Sequence, residues 1–374
     1  MKYQKESAVV EGLLHNSAEL RRRIIEEINS GDVSVLSILS KLVTALEKSD
    51  FQLYQEKVSG LESLSKLDLR GKQGNMLPKT LKSLVTVLSG NIMLENEPTT
   101  VAAAVQATLS LGLQNHVTLH LMDQLESRCK SERVFAILEG LRALNASTPD
   151  IACRLLAVFP HLSPSGLVDI ASGTVQPACL SAAIDLLRSF PIACFDDRVL
   201  CALEQLAREP KATATRHHAP TQRVLLVIAA LTLIMEKYSS AIAKDQTQQE
   251  KIFSESMQRN EARLQQGKPA EAAPEPSECS VLFGNVLSTA QDCLSDPELQ
   301  IRRHAARLIG AAAVGQIYAK VISQQLSTWL ESSDDFQQRC AVANMIVLLF
   351  HPSPVVHRAL ELLETDDERI RKVI

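Results

Sequence analysis

Three side chains stand at a spacing that could hold a metal. His116, His120 and Asp123 fall at i, i+4 and i+7, which places them on one face of a helix. Paired helical histidines are a zinc geometry. The run here is HVTLH, and no glutamate occupies the general-base position. The spacing therefore predicts surface or partly buried histidines and no metal site. A second group is basic. Arg208, Lys211, Arg216, His217, His218 and Arg223 surround the stretch AREPKATATRHHAP. It reads either as a solvated loop between helices or as a dock for an acidic or phosphorylated surface. Arg21, Arg22 and Arg23 form another basic run, with Glu26 and Glu27 four residues on, the pattern of ion pairs on a helix surface. None of the eight cysteines forms a CxxC pair. Cys194 and Cys201, seven apart, predict one helical core face, and the set reads as reduced structural thiols. The motifs GxSxG, GxxxxGK[ST] and GxGxxG are absent, as are zinc-finger spacing and an aromatic RNP motif. The sequence thus names no catalytic, cofactor-binding or metal residue, and the expectation is a protein that is not an enzyme.

These side chains must be carried on helices. The 374 residues include 9 Phe, 4 Tyr and 1 Trp, with 14 Gly and 15 Pro. So few aromatics and turn glycines argue against a β-sandwich or barrel. Apolar residues recur at helical spacing through most of the chain. Ser17 can cap a helix with an inner face of Leu20, Ile24 and Ile28. A second carries Val35, Leu39, Leu42 and Leu46, and a third runs from Leu53 to Leu67. Pro78 and Pro98 open two more. Further helices are predicted over about 115–128, 132–145, 149–158, 163–172, 177–189, 196–208 and 220–242. From 244 to 266 the chain turns to Gln, Glu, Lys and Arg, and GKPAEAAPEPSE follows. This predicts a polar linker or loop over 244–278, disordered or helical in its first part, between a helical region at 1–243 and a second at 279–374.

The last hundred residues repeat themselves. DPELQIRRHAA begins at Asp296, DDFQQRCAVA at Asp334 and DDERIRK at Asp366, each after a leucine-rich helix (286–294, 322–330 and 355–363). Their arginines, Arg302, Arg339 and Arg371, are 37 and then 32 residues apart. Periods of this size mark two-helix repeats. The pattern of leucine-rich helix, Asp, Ile-Arg and Ala-rich helix resembles the HEAT/armadillo superfamily. The second copy departs from it, with Gln338 where Ile or Val is usual, and the third is cut off at Ile374, so the array is expected to be incomplete. The resemblance implies an all-α, HEAT/armadillo-like α-solenoid of stacked antiparallel helix pairs. It also implies a structural ladder of Asp296, Arg302, Asp334, Arg339, Asp366 and Arg371 between repeats. Ala305, Ala306 and Ala341 would permit close helix packing, and neighbouring repeats would bury each other's apolar faces.

The function that follows is a non-catalytic scaffold or adaptor, binding protein partners through an extended helical-repeat surface within an intracellular complex. It needs no cofactor. The residues expected to meet partners are Arg303 and Arg307 beside the ladder, and Arg208, Lys211, Arg216 and Arg223 in the basic loop. Trp329 reads as core, or as a binding anchor if it lies on a concave face. The alternative is a nuclear, chromosome-associated solenoid contacting nucleic acid through local basic patches. The net charge of −4 supplies no global field for that. The N-terminal stretch carries Glu6 and Glu11 and lacks a signal-peptide core, and the longest apolar run, 224–235, is too short to span a bilayer. The expected location is intracellular, cytoplasmic or nuclear, with no membrane span.

Overall fold

The computed structural model describes residues 2–30, 34–47, 54–69, 76–94, 97–127, 133–162, 179–208, 220–275, 278–294, 296–312 and 331. Among them lie fourteen α-helices and two 3₁₀ turns, and no strand. The chain is all-α. It divides into two compact units at Phe190 and Pro191. The composition change at 244 falls inside a helix instead.

The first unit holds α1 (Lys2–Leu14), α2 (Ala18–Ser30), α3 (Val35–Glu47), α4 (Tyr54–Lys66), α5 (Pro78–Ile92), α6 (Pro98–Ser110), α7 (Gln114–Ser127), α8 (Val134–Ala143), α9 (Pro149–Val158) and α10 (Cys179–Ser189). Helix starts and stops follow local chemistry. Pro78, Pro98 and Pro149 occupy first turns, where a missing N–H costs nothing. Thr148 caps α9, its Oγ1 accepting from the Ile151 N–H at 3.2 Å. α6 ends in a Schellman turn on Gly112, at φ 66°: the Gly112 N–H reaches the Leu109 carbonyl and the Leu113 N–H reaches the Thr108 carbonyl. Asn145, at φ 48°, closes α8 in the same way.

Packing in this unit is largely between second neighbours. α1 packs on α3, α2 on α4, α3 on α5, α4 on α6, α5 on α7, α7 on α9 and α8 on α10. Sequential helices also pack, α1 on α2, α3 on α4, α5 on α6, α6 on α7, α7 on α8 and α9 on α10, and so do the third neighbours α1 and α4, and α5 and α8. The core between them is aliphatic, including Leu13, Ile38, Leu42, Leu64, Leu88, Leu121 and Ile137. At Gly60 of α4 a Cβ would stand 2.8 Å from Leu14 Cδ2 and 2.9 Å from Leu46 Cδ2, so a glycine lets these helices close up.

The inner face of α2 is Arg21, Ile25 and Ile28. Leu20, expected inside, is 39% exposed. The helix is turned by about one residue because Arg21 is drawn inward by fixed partners. α1 was not anticipated as a separate helix. Its buried apolar residues, Val10 and Leu13, lie in its second half.

The second unit holds α11 (Asp197–Arg208), α12 (Pro220–Gln265), α13 (Glu278–Cys293) and α14 (Leu299–Ala312). α12 packs on α11, α13 and α14; α13 also packs on α11 and α14. α12 is 46 residues long, where the apolar pattern predicts an end near 242. No Gly or Pro interrupts 221–266, and Lys, Glu, Gln, Arg and Ala sustain a helix without an apolar face. The helix stops at Gly267, φ 71°, in a Schellman turn made by the Gly267 N–H to the Leu264 carbonyl and the Lys268 N–H to the Arg263 carbonyl. The proline-rich segment then folds back along the helix. Asn260 and the Glu271 main chain exchange two hydrogen bonds, at 2.7 and 3.2 Å, and Arg263 reaches the Pro269 carbonyl and the Glu271 carboxylate.

α12 contains the one stretch among the described residues that is long and apolar enough to cross a membrane. Half of its apolar window is buried in protein, with Leu226, Val227, Ala230, Leu231, Leu233 and Ile234 in the core.

Candidate functional site

The sequence singles out the segment from Asp296 to Arg307, and the structure shows how its residues are used. Asp296 lies in the turn between α13 and α14. Its carboxylate is buried, accepts from the Glu298 N–H at 3.0 Å, and is paired with the Arg223 guanidinium from the first turn of α12. Arg302, also buried, points back into the same turn. Its Nη1 donates to the main-chain carbonyls of Asp296 at 2.7 Å and Pro297 at 2.9 Å. Asp296 and Arg302 are thus joined through the main chain, while the Asp296 side chain serves the turn and α12.

A second arginine makes the same contact. Arg21 Nη1 donates to the carbonyls of His15 at 2.8 Å and Asn16 at 3.0 Å, six and five residues before it, the offsets seen at Arg302. Its guanidinium also reaches Ser59 Oγ at 3.0 Å and the Glu62 carboxylate at 2.6 Å, both on α4. A charged donor satisfies two carbonyls of a tight interhelical turn in each place. This corrects the surface reading of Arg21. Arg22 and Arg23 do face solvent, but both bind Glu19, at 3.0 and 3.1 Å, while Arg22 meets Glu26 only at 4.0 Å. Hydrogen bonds from Arg22 and then Arg23 hold the Glu19 carboxyl below the usual carboxylate range. The signal in the sequence was the distance from turn to arginine, not the charge run.

The outer face of α14 differs. Arg303 and Arg307 are exposed, one turn apart, with Gln300 beside them. His304 is half-buried, its Nδ1 2.8 Å from the Gln300 carbonyl. No described carboxylate lies within ion-pair distance of Arg303 or Arg307.

The basic loop is partly consumed by the fold. Arg208 bonds Glu204 at 2.9 Å, the Asn285 carbonyl at 3.2 Å and the Thr289 hydroxyl, tying α11 to α13. Arg223 holds Asp296. Lys211, Arg216, His217 and His218 lie outside the described residues, as do Asp334, Arg339, Asp366, Arg371 and Trp329.

The His116, His120 and Asp123 set does not converge. Asp123 and Glu126 bind Arg154, each at 2.6 Å, and His120 Nε2 meets the Gln124 amide at 2.8 Å. The Glu126 and Asp123 hydrogen bonds push the Arg154 guanidinium pKa up against its partial burial. Among the described residues no three His, Cys, Asp or Glu side chains could hold a metal together. Cys194 and Cys201 do not share a helix. Cys194 ends a 3₁₀ turn, and Asp196 starts α11 afresh by accepting from the Val199 N–H at 3.2 Å. Burial, then Glu204 and Asp197, push the Cys201 thiol up and away from nucleophilic range.

Compared with known proteins, the chain matches no family model and no curated relative.

Proposed function

We propose that this chain is a HEAT/armadillo-like α-solenoid of stacked antiparallel helix pairs, acting as a non-catalytic scaffold or adaptor for protein partners in an intracellular complex, cytoplasmic or nuclear. One observation carries the reading: the same arginine-to-turn contact recurs at Arg21 and Arg302, at identical sequence offsets. Second-neighbour helix packing through the first unit supports it, since a stacked repeat contacts mainly its neighbours. A fold of this kind does not fix a function, and the adaptor role rests on analogy with what such arrays do. The nucleic-acid alternative is weakened, because Arg223 is largely buried against Asp296 and Arg208, though exposed, is tied to Glu204, Asn285 and Thr289.

The test is tagged isolation of the full chain followed by mass spectrometry. The expected outcome is a small set of proteins recovered in fixed ratio to the chain. A chain that is recovered alone from every cellular fraction overturns the scaffold reading.

A further inference from the structure

We infer that the outer face of α14 is a docking stripe for an acidic protein segment, one whose carboxylates stand a helical turn apart, with Arg303 and Arg307 as the two anchors. This rests on the scaffold reading and gives its partner a chemistry. The other described surface arginines are mostly neutralised: Arg142 by Glu139, Arg188 by Asp185, Arg198 by Asp196 and Arg263 by Glu271. Arg133 has no second arginine a turn away. Arg259 donates to the Glu255 carbonyl, and its neighbour Arg263 is already paired. Among the described arginines, Arg303 and Arg307 alone combine exposure, a turn's separation and the lack of a described acid.

The sequence keeps that face free of acids. The positions three and four residues from Arg303 are Leu299, Gln300, Ala306 and Arg307; those from Arg307 are Arg303, His304, Gly310 and Ala311. Like charges at i and i+4 disfavour a helix, and nothing on α14 offsets them. Two arginines a turn apart, their Cβ atoms about 6 Å from each other, suit two carboxylates at the same helical spacing, each taken through paired N–H donors. Nucleic acid is a poorer match. Tight backbone binding draws on roughly six to ten phosphate contacts, whereas the stripe offers two arginines with His304 at its edge, on a chain of net charge −4.

The experiment uses the full chain and a fluorescein-labelled, alanine-based helical peptide with glutamate at every fourth position, read by anisotropy. Its glutamine counterpart and a single-stranded oligonucleotide run alongside. The glutamate peptide is expected to bind in a salt-sensitive way. Arg303→Gln with Arg307→Gln should weaken it by at least about tenfold, and Arg22→Gln with Arg23→Gln should leave it unchanged. Circular dichroism and melting confirm that both double variants fold, as substitutions at exposed positions should. Failure of the glutamate peptide to bind, or equal binding by the Arg303/Arg307 variant, overturns the inference. So does tighter binding of the oligonucleotide with the same arginine dependence. If the peptide fails while the chain still isolates its partners in fixed ratio, the docking stripe falls and the scaffold reading stands. If the peptide binds and no partner is isolated, the acid-binding face stands and its role in a scaffold falls.

Discussion

α2 and α14 carry the same inward arginine and opposite outward faces. Arg21 and Arg302 each turn back onto two carbonyls of the turn before their helix. Outside, Arg22 and Arg23 are drawn onto Glu19, while Arg303 and Arg307 meet no described acid. The inward contact is common to the two helices, and the outward charge differs between them. The anchoring acids differ as well. Asp296 is sealed, with 1% of its side chain exposed against Arg223, whereas Glu62 is 44% exposed against Arg21.

That contrast in burial makes the largest expected difference. Asp296→Ala leaves Arg223 largely buried without its carboxylate and takes away the acceptor of the Glu298 N–H. Breaking a buried pair from one side costs about 3–5 kcal/mol. Glu62→Ala removes a half-exposed partner from an arginine that keeps Ser59 and two carbonyls, and should cost under about 1 kcal/mol. Urea unfolding of the full chain followed by circular dichroism checks both. Equal losses would mean that the two acids do the same job.

The two arginines themselves should behave alike. Arg21→Met and Arg302→Met keep much of the aliphatic volume and leave two turn carbonyls without a charged donor. Each should lose about 2–3 kcal/mol, the scale of a hydrogen bond made by a charged group. A loss confined to one of them would show that the recurrence is geometric only, and would remove the observation on which the repeat reading rests.

Much of the helical frame was legible because it is written in side chains. α9, α10 and α11 begin and end within about two residues of where proline, capping residues and apolar spacing place them. The arginine contact was only half legible. Its acceptors are main-chain carbonyls, which leave no residue-type signature. Asp296 and Arg302 stood out because copies follow them in sequence; Arg21 was hidden in a run of three. The faces Leu20/Ile24/Ile28 and Arg21/Ile25/Ile28 differ by one residue, and an apolar count prefers the first because it scores a buried arginine as polar. α12 was cut short for a related reason: past residue 243 it keeps helix propensity and loses its apolar stripe, and propensity alone does not announce a helix. The fold-back of residues 268–275 depends on Asn260 and Arg263, polar residues that could have served anywhere.

The smallest effect tests what separates the outer faces. Glu19→Gln with Glu26→Gln and Glu27→Gln brings α2 closer to α14: two exposed arginines, adjacent and not a turn apart, on a helix without a carboxylate. Glu19 is exposed, so the unfolding midpoint should hardly move, and the change should appear in recognition. The glutamate peptide should acquire a weak, salt-sensitive site that is lost again when Arg22 and Arg23 are also replaced. Acid breaks the same pairing on the unaltered chain, but the glutamates of the peptide protonate first, so the effect is read on Glu19 itself and not by peptide binding. The folded Glu19 carboxyl titrates below its ordinary value of 4.5 because of Arg22 and Arg23, so its pairing is fully present above that value. It is lost as pH falls through the lowered one. An NMR titration of Glu19 should place its midpoint below that of a free glutamate, and Arg22→Gln with Arg23→Gln should restore it. A midpoint at the ordinary value in the unaltered chain would mean that Arg22 and Arg23 are not held by Glu19, and the distinction between the two outer faces would then have to rest on something other than charge.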